Sequence, residues 1–281
     1  MIYLTRKQKK EGIDMSRSRR RNWKSLTIVL LTILTIFTAN SVQSARKLRT
    51  FPDTTEISLG TKATEIPGIL PFTGKYQIAL GDLDHLQRAT YAHIQLKDQD
   101  EPTLKRKALR FNPPGWHNYQ VINSRGKKTW LMDRGHLVGY QFSGLNDEPK
   151  NLVTMTKYLN TGFSDKNPLG MLYYENRLDN WLAIHPNFWL DYKVTPIYQN
   201  DELVPRQVVL QYVGIDQNGE LLQIKLGGNK ESVDHYGITS VVLDNVSPLA
   251  ALDYRTGMLL DANQHIEEKN NLATEELDEA A

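Results

Sequence analysis

The chain of 281 residues contains no cysteine, so disulfides play no part in it and its stability must come from its core, with or without a bound ion. It also lacks a long apolar run. Only Leu26 to Ala39 is free of charge over any distance, and a membrane span needs about 20 such residues. Nine basic residues between Arg6 and Lys24 precede that run, and the small polar stretch Asn40 to Ala45 follows it. This order reads as an export signal over 1–45, with a retained anchor left open by extension through Val42. Met15, just before Ser-Arg-Ser-Arg-Arg-Arg, is an alternative start. Export with processing directs the protein to the outside of the cell or its surface.

Positive charge is scarce once the signal is set aside. Residues 1–44 carry nine basic and two acidic side chains, so their removal takes the formal charge from +2 to −5. Binding to a polyanion then needs a local basic patch rather than a global field. Internal repeats are absent, as are His-Glu-x-x-His and Gly-x-Ser-x-Gly, which excludes the zinc peptidase and serine esterase signatures.

What remains is ordinary globular composition with an uneven layout. Residues 46–70 are rich in Thr, Pro, Gly and Ser and read as a flexible linker. The domain spans 71–255, and 256–281 is an acidic polar tail. Tyr91 to Leu96 reads as a strand, and Lys105-Arg106-Lys107 with Arg110 is a solvated face or a phosphate track. Leu152, Met155 and Leu159 at i, i+3, i+7 suggest a short helix stopped by Gly162. Met171 to Ile184 is a longer helix, with Glu175 on the same stripe as Met171, Leu178 and Leu182. A carboxylate there must be paired, hydrated or near a cation, or else sit at the edge of the stripe. Arg206 to Ile215, the turn Asp216 to Gly219 and Leu221 to Leu226 form a hairpin, and Ile238 to Leu243 one more strand.

Of seven histidines, His136 stands apart because Asp133-Arg134-Gly135-His136 holds the parts that phosphodiester hydrolysis needs. A neutral imidazole accepts a proton near pH 7, and a guanidinium neutralises a phosphate oxygen. Gly135 allows a tight turn and Asp133 can orient a neighbour.

The wider pattern, Asp133 to Tyr140 followed by Asn151 to Asn160, resembles the DNA/RNA non-specific endonucleases of ββα-metal (His-Me finger) type. Met171 to Arg177 and Asp191 to Pro196 are similar to the secreted streptococcal DNases of that family. The resemblance implies an α+β fold with a mixed or antiparallel sheet, and Mg²⁺ as cofactor with Mn²⁺ as a substitute. It implies DNA as substrate with RNA left open, and 5′-phosphate products. By position it makes His136 the general base, Asn160 the metal ligand, Asn151 a supporting residue and Glu175 an acid on metal-bound water. Arg134 is the motif arginine, and Arg88, Arg106 and Arg177 are candidate DNA contacts. Some branches carry a basic residue four positions after the helix acid, where this chain has Asp179. Nine residues at about 100° each leave Asn151 and Asn160 half a turn out of phase, so Asn151 must precede the helix. The rival class is an inactive DNA-binding surface protein on the same fold.

Overall fold

The computed structural model describes residues 55–260, apart from 124 and 125, together with Glu267–Glu268. The export segment 1–45 and most of the expected tail lie outside the described residues.

The fold is α+β, built on an eight-stranded sheet in which every described pairing is antiparallel. Its strands are β1 (Thr55–Lys62), β2 (Gln77–Leu80), β3 (Ala92–Leu96), β8 (Trp189–Ile197), β9 (Gln207–Ile215), β10 (Glu220–Lys225), β11 (Glu231–Val233) and β12 (Thr239–Asp244). The order is β1-β10-β9-β8-β3-β2, with β12 also on β9 and β11 outside it. A smaller sheet holds β4 (Tyr119–Ile122), β5 (Lys128–Trp130) and the pair Glu267–Glu268, while β6 (Met132–His136) and β7 (Leu152–Thr156) pair with each other. The helices are α1 (Tyr140–Ser143), α2 (Lys157–Thr161) and α3 (Met171–Ile184).

The long strands β8 and β9 form the spine because their alternating Val, Leu, Ile and Tyr side chains suit a pleated, buried surface. Pro196 is tolerated in β8 because the pairing with β3 stops at Val194, so the missing N–H removes no bond on that side. The helix α3 lays Tyr174, Leu178, Trp181 and Leu182 against Tyr192, Leu210 and Tyr212 of the sheet, all in one core. Gly214 makes room for that contact, since a Cβ there would stand 2.8 Å from the Trp181 ring. The turn Asp216 to Gly219 joins β9 and β10 as the sequence suggests, with Asp216 Oδ1 accepting from the N–H groups of Asn218 and Glu220.

Three expectations are corrected. Leu152 to Thr156 is a strand, and only Lys157–Thr161 is helical. Every residue of β7 is buried, so apolar side chains occupy both of its faces, and their spacing coincided with a helical period. Nor is 46–70 a linker throughout. Thr55–Lys62 pairs with β10, and Ala63, Ile66, Ile69 and Phe72 pack with Trp189 and Ile215 in a second core. The fold also continues past 255, since Leu259 bridges Leu252 and Leu260 N donates to Ala251 O.

Candidate active site

The hairpin β6–β7 followed by α2 makes a compact ββα unit. Its register pairs His136 with Leu152 and Asp133 with Met155. The helix is short for local reasons. Thr156 caps it by accepting from Leu159 N at 2.9 Å, and Gly162 in the left-handed region (φ 64°) ends it. Asn160 sits in its last turn and donates from Nδ2 to Asp133 Oδ2 at 2.9 Å. That bond fixes which way the amide faces, so Oδ1 is the atom left to accept a cation.

His136 ends β6 and is buried. Its Nε2 lies 2.9 Å from the carbonyl oxygen of Asn146. A carbonyl only accepts, so Nε2 carries the proton and Nδ1 keeps a free lone pair. Burial pushes the imidazole down to about 4, helped by the positive charge of Arg106 and opposed by the carbonyls of Asn146 and Leu145 and by Asp147. The ring is therefore neutral near pH 7.

The chain after His136 is pinned from two further directions. Asn151, fully buried, accepts from Val138 N at 3.0 Å through Oδ1 and donates to Val138 O at 2.9 Å through Nδ2. It lies before α2, as the helical phase requires, and both ends of its amide serve the backbone. Glu175 reaches across from α3 and accepts from Gly139 N at 2.9 Å and from the Tyr192 hydroxyl at 3.3 Å. A Cβ on Gly139 would stand 2.6 Å from Glu175 Oε2, so only glycine permits this approach. Burial raises the Glu175 carboxyl to about 7, with Asp179 adding to the rise and both hydrogen bonds opposing it.

Gly135 has a different use from the one expected. It lies within β6 rather than in a turn, and a Cβ there would stand 2.3 Å from Met155 Sδ. Arg134 is also committed locally. Its Nε donates to Asn112 Oδ1 at 2.8 Å, Nη1 reaches Leu109 O at 3.4 Å, and the guanidinium lies 4.6 Å from the centre of the Trp116 ring.

The candidate DNA contacts separate sharply. Arg106 is exposed and electrostatically coupled to His136, within the exposed basic run that includes Lys105, Lys107 and Arg110. Arg88 is buried, donating to Asp84 at 2.6 Å and to the carbonyls of Asn200 at 2.9 Å and Glu202 at 2.6 Å, over the Tyr198 ring. Arg177 is likewise buried, on the Tyr173 ring and the Tyr173 carbonyl. Both are internal struts, which corrects their assignment to DNA. Sequence reasoning also missed Asn146, whose position in the polar loop Leu145-Asn-Asp-Glu148 gives only a turn signal.

Residues 73–214 match the family model for DNA/RNA non-specific endonuclease, and the chain belongs to that family. A solved structure described as an extracellular endonuclease shares 53% identity over 76% of this chain and 100% of its own, with a TM-score of 0.66. An extracellular nuclease shares 55% over 68% and 97%, with a TM-score of 0.57. NucA from Streptococcus agalactiae, solved with magnesium bound, shares the fold at 22% identity over 72% and 84%, with a TM-score of 0.51. The protein is a nuclease hydrolase with an α+β fold.

Proposed function

We propose that this nuclease is exported and cuts DNA in a Mg²⁺-dependent reaction, with His136 as general base. The reading is carried by the imidazole geometry. A buried, neutral ring donating from Nε2 to the Asn146 carbonyl presents Nδ1 as a base. Its neighbours named extracellular, together with the sequence order of 1–45, support export.

The donor set suits magnesium. Among the described residues no cluster of three His, Asp or Glu side chains could hold a metal, which excludes a dedicated acidic cage there. Asn160 Oδ1, a hard neutral oxygen held by Asp133, fits an ion that keeps most of its waters and takes substrate phosphate as a further ligand. Mn²⁺, with the same preference for oxygen, fits the same donor. When bound, such an ion supplies positive charge to the scissile phosphate and the leaving oxygen.

The remaining work falls to the chain. His136 Nδ1 takes the proton from the attacking water. Asn151 and Glu175 hold Val138 and Gly139 so that the ring stays in place, and the family pattern would add for Glu175 a role towards metal-bound water. Arg106 and its basic neighbours meet the phosphate backbone, giving affinity without base readout. Arg134 fixes the loop that carries Asn112. As the water oxygen bonds to phosphorus the P–O3′ bond would break, and the departing 3′ oxygen would take up a proton from solvent, leaving 3′-hydroxyl and 5′-phosphate ends.

The purified protein, incubated with plasmid DNA and with RNA, each with Mg²⁺ or EDTA, tests this. DNA should be degraded with Mg²⁺ and not with EDTA, and the RNA arm reads substrate breadth. His136→Ala should abolish cleavage while DNA binding persists; cleavage near the wild-type rate would remove His136 from the mechanism.

A further inference from the structure

The segment 101–114 joins no sheet, yet it carries the exposed basic run Lys105, Arg106, Lys107 and Arg110. Side chains of the following loop hold it. Lys107 N donates to Asn146 Oδ1 at 2.9 Å, and Arg110 N and Phe111 N donate to Asp147 Oδ1 at 3.0 and 2.9 Å. The Tyr140 hydroxyl donates to Leu104 O at 3.0 Å. Asn146 is thus used twice, since its side chain holds this basic strap and its main-chain carbonyl accepts from His136 Nε2.

The loop around Asn146 is anchored at both ends without the strap. Leu145 N bonds Ser143 Oγ at 3.2 Å, and Asn151 N bonds Glu148 O at 2.9 Å. Between those points Asn146 and Asp147 reach the strap through their side chains. The side chain and carbonyl of one residue hang on adjoining backbone bonds, so a change in the first is felt by the second.

We propose that Asn146 is a positioning residue through which the seating of the basic strap sets the orientation of His136. This rests on His136 being the base. Phosphates engaging Lys105, Arg106 and Lys107 act on the strap, so substrate binding and alignment of the base are linked through one side chain. Small misalignments of a reacting group lower rates steeply, by up to about a hundredfold for 1 Å.

Steady-state cleavage of a DNA duplex by Asn146→Ala and Asn146→Asp, with thermal melts of each, tests the proposal. Asn146→Ala should lower kcat by about ten- to a hundredfold with little change in Tm. Asn146→Asp keeps the acceptor and should recover most of kcat, while its charge beside the basic strap raises KM. An unchanged kcat in Asn146→Ala, or a kcat in Asn146→Asp as low as that of the alanine variant, would overturn the idea. If Asn146→Ala does not fold, the same bond can be broken from its other end. Lys107→Pro removes the donor and should lower kcat, whereas Lys107→Ala keeps the N–H and should act on KM; equal kcat values for the two would be fatal. His136→Ala completes the series. Surviving cleavage there sinks the base assignment, whereas an inactive His136→Ala beside a fully active Asn146→Ala sinks only the strap linkage.

Discussion

Asn160 Nδ2 donates to Asp133 Oδ2 at 2.9 Å, tying the last turn of α2 to the second residue of β6. The acidic residue of the motif therefore orients the amide across from it. Removing such an orienting partner typically weakens metal binding by about 10–100-fold. With Asn160 Oδ1 as the proposed metal ligand, Asp133→Ala should raise the Mg²⁺ concentration for half-maximal cleavage by about that factor, with a smaller change at saturating metal. A Mg²⁺ titration of the cleavage rate checks this, and an unaltered midpoint would separate Asp133 from the metal site.

With His136 as the proposed base, its low basicity should set the acidic limb of activity. With the imidazole near 4, kcat/KM should fall only as the pH approaches that value, well below the ordinary histidine range. The exposed Arg106 contributes to the depression, after burial. Arg106→Ala should accordingly move the acidic limb to higher pH while weakening DNA affinity. A pH profile of kcat/KM for both proteins reads the shift, and a limb that moves downward would contradict the electrostatic link.

Glu175 has the opposite sign. Its carboxyl is raised to about 7 from the usual value of 4.5, so the folded protein holds the proton more tightly than the unfolded chain. Stability associated with this group is present below pH 4.5 and is lost as the pH rises towards 7. Glu175→Gln should lessen the fall in Tm over that window, measured in EDTA, by a few degrees at about neutral pH. The Tyr192 hydroxyl remains a partner for the amide oxygen. The same change in Tm between those pH values in the wild type and in Glu175→Gln would show that the carboxyl is not so perturbed.

Much of the site was legible because its chemistry is local in sequence. The helix Met171–Ile184 announced itself through a long apolar stripe, and the buried carboxylate on it was visible as an anomaly of that stripe. The helical phase between Asn151 and Asn160 placed the first outside α2, where it lies. Other features depend on contacts distant along the chain. Arg88 looked available for phosphate because nothing nearby reveals that the carbonyls of Asn200 and Glu202 enclose it. Thr55–Lys62 looked like linker because its partner, β10, comes more than 150 residues later. Both errors share a cause, since partners supplied by tertiary structure leave no trace in local composition.

Gly135 offers a last test of what the motif is for. Read as sequence, a glycine before the histidine suggests a turn, but here it lies in a regular strand opposite Val153. A Cβ at 135 would stand 2.3 Å from Met155 Sδ, 2.7 Å from Cγ and 3.1 Å from Cβ. The sulfur could swing aside, yet Met155 is fully buried in the main core and its Cβ is fixed by the strand, so the added methyl must displace packed neighbours. Overpacking of this kind costs about 1–3 kcal/mol. Gly135→Ala should lower stability by that order, and the loss should be smaller in a Met155→Ala background, where the cavity accepts the methyl. A denaturation cycle over the four proteins measures the coupling. Strict additivity would mean that the glycine serves the backbone after all, and that the packing against Met155 is incidental.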